Sequence, residues 1–262
     1  MNKQEIQKNI ENVLDYWTRT LPPTLAAVVK RNVIVSGGCI ASMLLKEPVK
    51  DYDLYFKDVH TALELAKYYT SKLGVNTACV IDGKVVLNEA VVSMGRHMPI
   101  SSQAFSPVYL SRNAITLSGG IQLILRFCGS VEKILETFDF AHTKSYFTFD
   151  TGLRLDQEGL ESLLSKELVY VGSGFPVCAL FRAHKFMRRK WKLRPSELMK
   201  IVYDIAQLDV TDPLVIKEQL GGYYGQSIAK QMNIPGKLNR EVFFAIAEGY
   251  APKNPESVGN YM

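Results

Sequence analysis

The chain has no apolar run approaching the ~20 residues that a membrane-crossing helix requires, so no membrane partner is expected from its 262 residues. Its first residues, MNKQEIQKNIENVLDYW, are polar and amphipathic, without the apolar centre of a secretory signal. These two absences point to a cytoplasmic protein. Its four cysteines, Cys39, Cys79, Cys128 and Cys178, show no C-x-x-C spacing, which argues against a zinc frame or a disulfide scaffold and favours buried reduced thiols. None of its four histidines, His60, His97, His142 and His184, pairs with another at metal-ligand spacing. Internal repeats and low-complexity stretches are also missing. Charge of one sign is scarce: 31 Lys and Arg against 26 Asp and Glu leave a net +5, which permits an anionic partner without demanding one. What remains is an ordinary globular composition, 47% hydrophobic and 22% charged, long enough for one large domain or two small ones.

Periodicity orders the chain into two halves. Residues 4–18 carry Ile6, Ile10, Val13, Leu14 and Trp17 near helical spacing, Pro22-Pro23 closes that helix, and TLAAVVKR predicts a second one. An apolar strand, Val33–Ser36, leads through Gly37-Gly38 into a helix over 39–47 that Pro48 stops, and then into a strand over Lys50–Phe56. A helix is expected over Val59–Leu73 with Gly74 at its end. A β-rich middle follows: ACVID and KVVLNEAVVS around Asp82-Gly83, then NAITLS and IQLILRF around Gly119-Gly120. SVEKILETF reads as a short helix capped by Ser130, and a further strand is expected within residues 141–150. Beyond about 155 strand signals vanish, and Gly172-Ser173-Gly174, Pro195, Pro213, Gly221-Gly222 and Pro235 punctuate helices before a loose tail from Pro252. The expected layout is a mixed α/β (α+β) half, 1–155, and an all-helical half, 156–262.

Chemistry concentrates in NVIVSGGCIASMLLKEPVKDYDLYFKD. Residues two apart on a strand share a face, so Asp51 and Asp53 project together. Paired carboxylates repel unless a hard cation lies between them, and Mg²⁺ held by one or two carboxylates plus substrate phosphates resolves that repulsion. The glycines let backbone N–H groups approach a phosphate at a helix N-terminus.

This unit resembles the signature of the DNA polymerase beta-like nucleotidyltransferase superfamily: hydrophobic-Gly-Gly/Ser, about a dozen residues, then Asp-x-Asp/Glu. The resemblance implies a nucleotidyltransferase core with a mixed sheet. It implies that Ser36, Gly37, Gly38 and Ser42 hold the phosphates of an NTP, and that Asp51 and Asp53 hold Mg²⁺ (or Mn²⁺). A third carboxylate on a neighbouring strand is usual in such sites, for a second metal or to help deprotonate the acceptor. Here IQLILRF is the matching strand and Gln122, a neutral side chain, stands where the acid is expected. Asp139, in Phe138-Asp139-Phe140, is the other candidate for a catalytic acid, though an Asp between two core phenylalanines also caps turns. Asp150 is a weaker one. Arg126, on the face of Gln122, and Arg112 are candidate phosphate contacts that equally suit a surface.

In the second half, 175–194 reads FPVCALFRAHKFMRRKWKLR. Val177, Leu180, Phe181, His184, Met187 and Trp191 are expected on one buried face, with His184 a satisfied core histidine. Arg182, Lys185, Arg189 and Lys192 form a cationic stripe on another face, suited to a triphosphate or an RNA backbone and equally to solvent. The segment resembles the helix that follows the catalytic domain in poly(A) polymerase and CCA-adding tRNA nucleotidyltransferases, in the pattern L-R-A-x-R-F and then G-F-x-I/L. Lys185 replaces its second Arg and Lys190 its glycine, and the further motifs of CCA-adding enzymes are not visible. The whole chain also resembles a family of tailed-phage and viral proteins with GG…DxDLYF, NAITL, FDF and R-x-x-KF, which implies a host cytoplasm.

The resemblances imply a Mg²⁺-dependent nucleotidyltransferase acting on an acceptor hydroxyl, with an RNA (tRNA-like) 3′ end the leading acceptor and a protein or small molecule as others. The Gln122 departure motivates the alternative of a nucleotide- or RNA-binding protein with reduced turnover. A toxin-like enzyme modifying host tRNA or protein is a third reading.

Overall fold

The structure is a computed structural model and describes residues 2–72, 74, 78–88, 104–220, 237–241 and 244. The expectations for residues 89–93, His97, Gly221-Gly222, Pro235 and the tail from Pro252 lie outside the described residues. The chain divides into two compact units, 1–165 and 166–262.

The first unit opens with α1 (Lys3–Thr18), whose Asn2 and Glu5 form a reciprocal capping box, and α2 (Pro23–Asn32), which begins on proline. Strand β1 (Val33–Ser36) turns at Gly37 into α3 (Gly38–Leu45). That helix ends before Pro48 because Lys46 takes a left-handed φ of +58°. After β2 (Tyr52–Phe56), Asp58 caps α4 (Val59–Ser71), accepting from the Thr61 N–H at 2.8 Å. Gly74 follows with φ +72°. The hairpin β3 (Ala78–Ile81) and β4 (Lys84–Leu87) turns on Asp82 and Gly83, both at positive φ, as a tight two-residue hairpin requires.

Then come β5 (Pro107–Leu110), β6 (Ala114–Leu117), β7 (Ile121–Cys128), the short α5 (Val131–Leu135) under its Ser130 cap, and a 3-10 turn over Ala141–Thr143. Strands β8 (Tyr146–Thr148) and β9 (Gly152–Arg154) and helix α6 (Gln157–Ser165) complete the unit.

Seven strands form one mixed sheet in the order β5-β6-β7-β2-β1-β8-β9. Only the β2–β7 pairing is parallel; its neighbours are antiparallel. Alternation along the strands divides the sheet into two unlike faces. On one, Val33, Val35, Leu54, Phe56, Leu123, Leu125 and Phe147 are buried at 1% exposure or less, under Ile6, Ile10, Leu14 and Trp17 of α1, Ile40 and Met43 of α3, and Leu65 and Tyr69 of α4. Each such side chain contributes about 1.5–3 kcal/mol by leaving water. The Trp17 indole N–H donates to the Tyr69 hydroxyl at 2.8 Å, satisfying the polar tip of a buried aromatic. On the other face a smaller cluster, Ile34, Tyr55, Ile134 and Phe138, packs α5 and the segment after it against the sheet.

The second unit is helical, as its sequence suggests, with one addition: β10 (Glu167–Leu168) and β11 (Lys192–Leu193) pair in parallel over two residues each. Among its described residues are the helices α7 (Pro176–Arg188), α8 (Pro195–Ala206) and α9 (Pro213–Gln219), each starting on proline. Val177, Ile216, Leu220 and Leu238 form its core. Buried Glu197 accepts from the Tyr170 N–H at 2.8 Å and pairs with Lys200 at 2.9 Å, so the carboxylate is compensated.

Candidate functional site

The site is built where β1 ends and β2 begins. Register pairs Ser36 with Asp53, Asp53 with Gln122, and Gln122 with Thr116, so these four side chains form one row across β1, β2, β7 and β6. The row lies on the face that α5 only partly covers, beyond the Ile34–Tyr55 cluster.

Gly37 creates the geometry above that row. Its φ of +94° is open to glycine, and a Cβ there would lie 3.2 Å from Asp53 Oδ2. The Asp53 carboxylate therefore packs against the turn itself. The Gly37 N–H donates to the Thr143 carbonyl at 3.1 Å, which anchors the turn to the 3-10 segment. Gly38 is different: it is exposed, and a Cβ there would meet nothing within 4 Å. The start of α3 carries no side-chain cap.

Asp53 is half-buried as a residue, but its Oδ1 is buried and has no hydrogen-bond donor. Burial, and then the neighbouring Asp51 charge, push its pKa up from 3.8 to about 7. The Asp51 carboxylate is thus close enough to act on it. The strand itself starts two residues later than expected: Lys50 and Asp51 precede β2, whose first N–H, on Tyr52, donates to the Gly120 carbonyl at 2.7 Å. Burial followed by the Asp53 charge also raises the Cys39 thiol, leaving it an inert packing group. An orphaned buried oxygen beside a second carboxylate is what a divalent cation satisfies, so Asp51 and Asp53 fit one as ligands. Among the described residues, no group of three or more His, Cys, Asp or Glu side chains gathers around a common point.

The other expected residues fall in several places. Ser36 lies in the row but is fully buried, and its hydroxyl donates to the Ser145 carbonyl at 2.9 Å, tying β1 to β8. Ser42 is half-buried on α3, one turn past Gly38. Gln122 donates to the Thr116 hydroxyl at 3.2 Å. Arg126 lies further along β7, where the register against β2 shifts and it is Phe127 that packs with the Ile34–Tyr55 cluster, so the expected Gln122 face is not kept; its guanidinium is 5.6 Å from the Phe127 ring centroid. Asp139 is buried in the segment joining α5 to the 3-10 turn, between Phe138 and Phe140. Asp150 is a surface residue in an ion pair with Lys57. Arg112 is exposed between β5 and β6.

The basic segment is not one helix over 175–194. Helix α7 ends at Arg188, because Lys190 turns left-handed at φ +65° and sends Lys192 into β11. Lys190 thereby adopts, at the position where the resembled pattern has glycine, a backbone that glycine takes without strain. Arg182 and Lys185 remain on the helix, and Arg189 forms its C-cap with the guanidinium 5.6 Å from the Phe186 ring centroid. Of the expected buried face, Val177 and Trp191 are buried and Phe181 packs partly buried against the core of the unit, with Ala179 and Ala183 buried beside them. His184 is exposed and Met187 is 48% exposed, correcting the core assignment of both, because small alanines carry the contact instead.

Sequence reasoning missed Thr116, Thr143 and Gly120 as parts of this site. Gly120 reads as a hairpin glycine, yet it has a second duty: a Cβ there would lie 3.0 Å from the Lys50 carbonyl, beside the Asp51 backbone. Only the pairing of adjacent glycines at 119 and 120 signalled an unusually close approach.

The fold is a mixed α/β sheet that carries a strand, a glycine turn, a helix and an Asp-x-Asp strand in succession. Residues 4–166 match the family described as Gabija anti-defense 2 family protein, and the chain belongs to that family. A relative from Bacillus phage SPbetaL7, "Gabija anti-defense 2", is 23% identical over 205 residues, covering 77% of this chain. The chain spans 44% of that relative's length. Among solved structures, the Thermotoga maritima CCA-adding enzyme complexed with tRNA aligns over 95% of this chain and 67% of its own, at TM-score 0.46 and 15% identity. A tRNA nucleotidyltransferase complexed with a primer tRNA and an incoming ATP analogue aligns over 86% and 59%, at TM-score 0.44 and 17% identity.

Proposed function

We propose that the first unit binds an NTP with one face of its sheet and transfers the nucleoside monophosphate to an acceptor hydroxyl, an RNA 3′ end being the leading acceptor. The observation that carries this reading is the orphaned Asp53 carboxylate packed against the Gly37 turn, with the uncapped start of α3 open beside it. The open space at Gly38 admits a triphosphate, which the N–H groups of α3 and its dipole stabilise. Asp51 and Asp53 would hold Mg²⁺ or Mn²⁺, and when bound it neutralises charge developing on the α-phosphate. Positioning falls to the protein: Gly37 fixes the Asp53 carboxylate, Gly120 fixes the backbone that bears Asp51, and Ser36 and Thr143 hold the turn between β1 and β8. Arg182, Lys185 and Arg189 are the proposed contacts to the acceptor's phosphates, by the charge of the second unit alone.

Membership of the Gabija anti-defense 2 family supports a counter-defence role for this chemistry: the proposal is that nucleotide transfer acts against a Gabija system. A second reading, nucleotide or RNA binding with reduced turnover, is favoured by Gln122 in the row beside Asp53. Radiolabelled NTPs with Mg²⁺ and total RNA or host lysate separate the two. Label transfer that Asp51→Ala/Asp53→Ala abolishes supports the enzyme. Retention of NTP without pyrophosphate release supports the binder, and neither transfer nor retention defeats both.

A further inference from the structure

We infer that this site holds a single divalent cation, on Asp51 and Asp53, because Gln122 occupies the strand position from which a third carboxylate would bind a second. The inference rests on the nucleotide site proposed above and concerns how it is loaded. A two-cation transferase keeps its ions about 3.5–4 Å apart, and bridging carboxylates offset their mutual repulsion. Two strands flank β2, and each sets one residue beside Asp53. On β1 that residue is Ser36, whose hydroxyl is spent on backbone carbonyls. On β7 it is Gln122, which carries no charge.

Gln122 is also held away from the acids. Its amide nitrogen donates to the Thr116 hydroxyl at 3.2 Å, and Thr116 stands on β6, on the side of β7 away from β2. Asp139 is on neither flanking strand but in the segment after α5. The row therefore presents the charge for one hard cation, with the nucleotide's own phosphates completing its shell.

Counting bound Mn²⁺ by equilibrium dialysis and electron paramagnetic resonance, with protein in excess over a non-hydrolysable NTP analogue, tests this without reference to turnover. Wild type is expected to retain one Mn²⁺ per bound nucleotide, with the spectrum of an isolated ion. Gln122→Glu is expected to retain two, with the broadening of a coupled pair, and Asp139→Asn to stay at one. Two ions in wild type, or one in a Gln122→Glu protein whose circular dichroism matches wild type, would overturn the inference. The wild-type count decides the matter if Gln122→Glu does not fold. Retention of neither ion nor nucleotide by wild type is a separate outcome: it defeats the site itself, and the single-cation inference with it.

Discussion

The two faces of the seven-stranded sheet are made from the same strands and do opposite work. Phe56 and Leu54 face the helices, wholly buried, while Asp53 and Gln122 face the other way with α5 covering only part of their side. A strand that alternates Asp53, Leu54, Tyr55, Phe56 can carry both because its side chains change face at every residue. The helix-covered face holds the fold together. The other leaves a buried carboxylate oxygen without a partner, a cost retained where a ligand can repay it.

The largest effect that would separate the faces is loss of stability. Phe56→Ala should cost about 3–5 kcal/mol, read by urea denaturation, since it empties a fully buried site. Asp53→Asn should do the reverse on stability and abolish function: divalent-dependent NTP affinity should fall about 100-fold by calorimetry, while the metal-free protein becomes more stable at pH 8. A loss of stability in that variant would mean the carboxylate is structurally paired.

Gly120→Ala comes next. With φ +76° and the Lys50 carbonyl 3.0 Å from the added Cβ, about 1–3 kcal/mol of strain is expected. It should weaken cation binding more than Gly74→Ala, whose Cβ would meet nothing within 4 Å.

A smaller effect is the pH dependence of the metal-free protein. The Asp53 pKa is raised from 3.8 to about 7, so the native state keeps a proton that the unfolded chain has already released. Stability from this group is therefore full below 3.8, falls as pH rises toward about 7 and levels off above. Chemical denaturation across that window should show the fall in wild type and its absence in Asp53→Asn. The smallest effect lies outside the sheet: charge reversal at Arg182 and Arg189 should weaken RNA binding and flatten its salt slope by about 1 per lost phosphate contact. An unchanged slope would make that surface merely solvated.

Local signals made much of this legible. The apolar run Val33–Ser36, the glycine pair and the alternating Lys50–Phe56 segment are dictated by nearest neighbours, and the structure forms β1 and the turn where they predict and β2 two residues late, from Tyr52. The place of Gln122 was also readable, since a long apolar strand after two glycines offers few registers. What escaped depends on distant partners. Strands β5, β9, β10 and β11 are two to four residues long and exist only through pairing. Ser36 looks free in sequence because its acceptors, Thr143 and Ser145, lie more than a hundred residues away. Helix α7 stops short because a lysine takes a glycine-like backbone, which no propensity foretells.

The account turns on whether the Asp53 carboxylate and the Gly37 turn act together on a metal nucleotide. Isothermal titration of NTP into wild type and Asp53→Asn, with Mg²⁺ and with chelator, tests this most directly. The account predicts binding to wild type that requires Mg²⁺ and is lost in Asp53→Asn. Equal binding by both proteins, or none by wild type at any Mg²⁺ concentration, would contradict it.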